Sequence, residues 1–103
     1  MTYTLLYPVH PGAIIKSQLE DKFSCSIKRA SEVLGVNRSN FNNVLNGHAV
    51  LTPTLALKVE AAFGIPARVL LQMQTKYSLW EAEQTRASIV SGVAAQQPVA
   101  EYA

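Results

Sequence analysis

A single cysteine, Cys25, stands in this chain of 103 residues. It can form no internal disulfide, which fits a reducing compartment. Histidine is almost as scarce, at two residues. His10 and His48 lie far apart, with no acidic or thiol neighbours at ligand spacing, so neither a metal nor another cofactor is expected. Charge is thin as well, at 16% of residues, and nine basic against seven acidic side chains leave a net charge of only +2. That balance does not by itself single out a nucleic-acid binder. No apolar run approaches the roughly 20 residues of a membrane span. Met1 to Tyr7 is uncharged and too short for a signal peptide, so the expected location is cytoplasmic, away from membranes. Nucleophile–base pairings, phosphate-binding glycine loops and metal motifs are all missing. Glu81 and Glu83 could pair as acid and base, but no pocket signature accompanies them. The expected protein is not an enzyme.

What the chain does have is apolar substance and punctuation. Hydrophobic residues make up 49% of it, enough for one globular domain with one core. Pro11 suits a first helical position, because proline has no N–H to leave unsatisfied there. Ile14, Ile15 and Leu19 follow at helical spacing. Ser26 can cap a second helix carrying Ile27, Ala30, Val33 and Leu34, and Gly35 sits where its C-terminus needs a left-handed residue. Asn37 can cap a third, with Phe41, Val44 and Leu45 inward, ending at Asn46-Gly47. Thr52-Pro53 opens a fourth, whose stripe is Leu55, Ala56, Val59, Ala62 and Phe63, stopped by Gly64. Pro66 opens a last helix through Leu70, Met73, Tyr77 and Trp80. Tyr3 to Val9 is β-prone but short, and from Ser88 onward the periodicity fades into a tail expected to fray. The expectation is an all-α chain of five helices.

Ser26 to Asn46 is the informative segment. Two helices that cross sharply need a small residue in the first, a glycine at the turn and an apolar residue after it; Ala30, Gly35 and Val36 meet those demands. Asn37, Arg38, Ser39, Asn40, Asn42 and Asn43 then occupy the other side of the third helix. A plain solvated face usually carries Glu and Lys, whereas amides and arginine can donate and accept against base edges in the major groove. The pattern reads as a helix-turn-helix, with charge to suit: Lys28, Arg29 and Arg38 stand against Glu32 alone between Ser26 and His48, while Glu81, Glu83 and Glu101 outnumber Arg86 after Trp80.

The run His10-Pro11-Gly12-Ala13-Ile14-Ile15 resembles the opening of the HigA/VapI antitoxins within the XRE-type helix-turn-helix regulators. Leu34-Gly35-Val36-Asn37-Arg38, Val44-Leu45-Asn46-Gly47, Leu51-Thr52-Pro53, Ala56-Leu57-Lys58, Ala62-Phe63-Gly64, Leu71-Gln72-Met73-Gln74 and Tyr77-Ser78-Leu79-Trp80-Glu81-Ala82 are similar in turn, in order and spacing. The resemblance implies a five-helix, lambda-repressor-like domain over residues 10–83, behind an N-terminal arm (1–9) and before a short, flexible tail (84–103). It implies a homodimer whose third helix enters the major groove of an inverted-repeat operator. It further implies repression of the chain's own toxin–antitoxin operon and neutralisation of a RelE/HigB-like, mRNA-cleaving toxin. The alternatives are a free-standing XRE-type regulator without a toxin and a scaffold used only for protein contact.

Position by position, the resemblance puts Arg38, Ser39 and Asn43 at base contacts and Asn37, Asn40 and Asn42 at flanking base or phosphate contacts. Asn46, Gly47 and His48 fall in a loop that meets a phosphate through backbone N–H groups. Ile27 replaces the usual phosphate-gripping glutamine, which leaves Lys28 or backbone amides to substitute. Leu70, Met73, Tyr77 and Trp80 are read as dimer or partner contacts, because the last helix carries more apolar surface than one buried face requires. The toxin, a ribonuclease, is expected to be basic.

Overall fold

Helix punctuation dictates most of the architecture. The computed structural model describes residues 8–94, which form α1 (Pro11–Asp21), α2 (Ile27–Leu34), α3 (Arg38–Leu45), α4 (Pro53–Phe63), α5 (Ala67–Glu83) and α6 (Arg86–Ala94), with no strand among them. The caps expected from sequence are in place. Ser26 Oγ accepts from the Arg29 N–H at 3.0 Å, Asn37 Oδ1 from Asn40 at 3.0 Å, and Thr52 Oγ1 from Leu55 at 3.3 Å. Each satisfies an N–H that the first helical turn leaves without a partner. Gly35 ends α2 at φ +67°, a left-handed conformation that costs a residue with a Cβ.

The five-helix expectation is corrected to six. Arg86–Ala94, expected as frayed tail, is helical despite its Ser, Val and Gly residues, with no proline to interrupt it. It buries almost nothing: Ile89, Val90 and Val93 are all at least half exposed. The β-prone stretch from Tyr3 lies, but for its last two residues, outside the described part of the chain.

The core gathers Ile15 and Leu19 of α1, Ala30 and Leu34 of α2, Phe41, Val44 and Leu45 of α3, Ala56 and Val59 of α4, and Ala67 and Leu70 of α5, with Leu51 from the α3–α4 loop. Ile14, Val33 and Ala62, expected inward, are exposed. In α2 the inward face is Ile27, Ala30, Ser31 and Leu34, and Val33 falls off that arc. Ser31 takes the buried place because its hydroxyl donates to the Lys28 carbonyl at 2.7 Å.

Two contacts set the tertiary arrangement. At Gly12 any Cβ would collide with the Val44 carbonyl oxygen, so glycine is what lets α1 lie directly on the end of α3. In α5 the buried Gln74 accepts the Leu51 N–H at 2.9 Å and donates to Ser78 Oγ at 3.0 Å, pinning the α3–α4 loop to the last long helix. Pro66 precedes α5 without a side-chain cap, and Glu60 of α4 supplies it, accepting the Ala67 N–H at 2.8 Å.

Candidate nucleic-acid interface

The third helix is held to the core by one face and free on the other. Phe41, Val44 and Leu45 are each no more than 5% exposed. Across the helix, Arg38, Ser39, Asn40 and Asn43 are exposed, and Asn42 is half-buried. The approach to α3 is fixed by the turn: Gly35 reverses the chain, Val36 packs against the core, and the Val36 N–H donates to the Ser31 carbonyl at 3.0 Å. Asn37 spends its side-chain oxygen on the cap, which leaves its NH₂ group to face outward.

Two shallow hollows flank this helix. The α2 side is lined by Ile27, Asn37, Arg38, Ser39 and Asn42. The α4 side is a groove of about 430 Å³ with Val36, Phe41 and Leu55 in its wall and Asn40, Asn43, Thr54 and Lys58 along it. Lys58 was not among the sequence-predicted site residues. Its position four residues after Thr54, off the Ala56–Val59 stripe, marks an exposed face of α4, but which neighbour that face borders is decided by packing.

Ile27, at the start of α2, is partly buried against the core, so it presents an apolar wall to the hollow. Lys28 beside it is exposed. The loop after α3 departs from expectation. The Asn46 N–H donates to the Asn42 carbonyl at 3.0 Å, Gly47 to Val44 at 3.1 Å and His48 to Asn43 at 2.8 Å. These three N–H groups close the end of α3 and are not available to a phosphate; only the Asn46 and His48 side chains, both exposed, could reach one. Gly47, at φ +77° and against the His10 ring, serves the turn.

His10 caps α1 rather than binding a metal. Its Nδ1 accepts the Gly12 N–H at 2.9 Å, and its Nε2 lies 3.1 Å from the Ala49 carbonyl oxygen, so the neutral ring carries its proton on Nε2. Burial pushes its pKa below the ordinary 6.5, opposed by the Ala49 hydrogen bond and the charge of Glu81. Tyr77 meets the His10 ring edge-on at 4.9 Å, and the Tyr77 and Trp80 rings lie tilted with centroids 5.7 Å apart. Among the described residues no cluster of three His, Cys, Asp or Glu could hold a metal, and no helix is long and apolar enough to cross a membrane.

The expected contact residues of α5 divide. Leu70 is 0% exposed and belongs to the protomer's own core, so it has no surface to offer a partner. Helical spacing alone could not separate it from the outward residues, because α1 and α4 both pack on this helix. Met73, Tyr77 and Trp80 are half-buried, and Leu79, at 61%, is the most open large apolar residue of α5.

A short helix seated on the core through one face, reached by a glycine turn and presenting arginine and amides outward, defines a helix-turn-helix protein. No family model matches the chain. It is 32% identical to the antitoxin HigA-1 of Vibrio cholerae over 81 residues, 79% of this chain and 76% of that protein. It is 33% identical to the HTH-type transcriptional regulator YddM of Escherichia coli K12 over 75 residues, 73% of this chain and 79% of that one. This chain belongs to the HigA/VapI family of XRE-type helix-turn-helix regulators. An antidote protein of a plasmid maintenance system from Nostoc punctiforme superposes with a TM-score of 0.73 at 30% identity, covering 86% of this chain and 97% of that one. The antitoxin GraA, solved in complex with its operator, shares the fold at a TM-score of 0.70 and 24% identity, over 89% of this chain and 93% of that one.

Proposed function

We propose that this chain is a DNA-binding antitoxin and autorepressor that acts by binding rather than by catalysis. The observation that carries the proposal is the outward face of α3, where Arg38, Ser39 and Asn43 stand exposed on a helix anchored through Phe41 and Val44. Arginine suits guanine O6 and N7, and asparagine suits adenine N6 and N7. The relatives named as antitoxins, and the operator bound by GraA, support the reading. Residues 10–83 are the DNA-binding unit in this account, with 1–9 an arm and 84–103 a tail. Asn37, Asn40, Asn42 and the side chains of Lys28, Asn46 and His48 serve as flanking contacts.

One protomer carries one such helix, and a small single module buries too little surface for high specificity. A two-fold dimer sets two reading helices about 34 Å apart, one turn of DNA, so the operator is an inverted repeat. Met73, Tyr77 and Trp80, with Leu79 beside them, are its contact surface or that of the toxin. The test is a gel shift with the duplex upstream of the chain's own gene, alongside light scattering. A retarded complex resistant to random competitor, formed by a dimer, is expected; equal binding to random duplex, or a monomer with and without DNA, sinks the proposal.

The partner in this reading is a basic, RelE/HigB-like ribonuclease. Glu20, Asp21, Glu81 and Glu83, together with Glu101, which falls outside the described residues, are not part of the reading helix, so they can meet positive charge without covering Arg38. Glu83 pairs with Arg86, and Asp21 accepts from Ser17, so Glu20 and Glu81 are the freer of the four described. Co-expression with the adjacent reading frame should recover a complex that loosens as salt rises. The similarity to YddM, named as a transcriptional regulator, favours a second reading as a free-standing repressor. That reading prevails if no neighbour copurifies and overexpressing the neighbour is harmless.

A further inference from the structure

We infer that the DNA strand beside the reading helix is anchored from α4, by Lys58, in the groove between α3 and α4. The inference rests on the DNA-binding reading and adds to it the residue that holds the backbone. Three observations converge. On the α2 side the hollow beside α3 is walled by Ile27, and its only cation is Arg38, which the base-reading face already uses. After α3, the N–H groups of Asn46, Gly47 and His48 are all taken by carbonyls of α3 itself. On the α4 side Lys58 lines the same groove as Asn40 and Asn43, is exposed, and makes no ion pair among the described residues.

The groove suits a sugar–phosphate strand in more than charge. Val50, 59% exposed on its rim, offers alkyl surface to a deoxyribose, and the Thr54 hydroxyl offers a donor near Lys58. Lysine acts on a phosphate as a point charge on a flexible stem, so it needs no fixed geometry to tighten the complex. Such a contact carries no sequence information; it sets how α3 sits in the groove, and the amides of α3 then read the bases.

The experiment measures affinity against salt concentration for two duplexes, one from upstream of the chain's own gene and one of random sequence. It compares wild type with Lys58→Gln, Lys58→Arg and Lys28→Gln. For Lys58→Gln the slope of log K against log salt should shrink by about 0.9 on the upstream duplex, the value of one released phosphate contact. Affinity should fall by a similar factor on both duplexes. Lys58→Arg should restore the slope, and thermal unfolding of Lys58→Gln should match wild type. An unchanged slope for Lys58→Gln, a loss confined to the upstream duplex, or the slope change appearing in Lys28→Gln instead, overturns the anchor while the DNA reading stands. A wild-type chain that retards neither duplex overturns the DNA reading, and the anchor with it.

Discussion

The helix-turn-helix and the C-terminal pair of helices solve the same problem in opposite ways. Helices α2 and α3 are only eight residues each. At that length an isolated helix is not stable in water, so each depends on its caps and its buried face. These caps are local: Ser26 and Asn37 start the helices, and Gly35 ends the first. Helix α5 is 17 residues long, yet its N-terminus is capped by Glu60 from another helix, and only its first half is buried. Past Glu83 the chain continues as α6, with Ile89, Val90 and Val93 at least half exposed. The helix-turn-helix pair is therefore defined by its own sequence and finished by the core. The C-terminal pair is defined by what it lies against, and among the described residues its far end, α6, has its large apolar side chains exposed. Short, doubly capped helices fix the amide-rich outer face of α3 against the core; a long, half-covered helix leaves apolar side chains at the surface.

The sharpest way to break this comparison is to delete side chains along the C-terminal pair. Leu70→Ala should destabilise the protein by about 2–5 kcal/mol, as the truncation of a fully buried leucine. Ile89→Ala, on α6, should change it by less than about 0.5 kcal/mol. Urea unfolding followed by circular dichroism measures both, and comparable losses would mean α6 packs as α5 does.

The junction between the two regions is the next place to cut. Gln74→Met keeps the volume but leaves the buried Leu51 N–H without its acceptor, at a cost of about 1–3 kcal/mol. If the α3–α4 loop depends on that bond, amide exchange at Leu51 should quicken more than at Phe41. A uniform change across the chain would instead mark a global loss of stability.

On the reading face the expected effect moves from stability to binding. Arg38→Ala and Asn43→Ala should each weaken specific binding by about 1–3 kcal/mol while shifting stability by less than about 0.5 kcal/mol. For Asn43→Ala the loss on random duplex should be much smaller, and equal losses in a fluorescence titration would count against base reading.

The smallest effect concerns His10, which ties α1 to the α3–α4 loop and to Tyr77 of α5. Its pKa is lowered in the fold, so the unfolded chain binds the proton more readily. Stability is then full above pH 6.5 and declines as pH falls below that value toward the lowered one. Thermal melts between pH 7.5 and 5 should show that decline, and His10→Asn, which keeps an acceptor for the Gly12 N–H, should flatten it.

Much of the reading face was legible because it is written in local chemistry. Ser26, Asn37 and Thr52 can cap within a few residues of themselves, and Gly35 and Gly64 adopt left-handed angles that cost a residue with a Cβ. The loop after α3 is less legible. The Asn46, Gly47 and His48 N–H groups looked available until the turn geometry aimed each one at a carbonyl one turn back. Val33 and Ile14 look like core residues in a string of letters, because periodicity tolerates a residue of slippage and only neighbouring helices choose the buried arc.

By itself, then, the sequence determined where the first four helices begin and end, the amide-rich character of α3 and the single core, all properties set by side chains a turn or less apart. The tertiary structure alone decided that Leu70 is interior and Leu79 is not, and that Gly12 lies on the Val44 carbonyl. It also decided that Glu60 caps a helix it does not belong to, and that Lys58 borders the groove of Asn40 and Asn43. Each of these depends on which surfaces meet across long stretches of chain, and no local rule of spacing or capping encodes such a meeting.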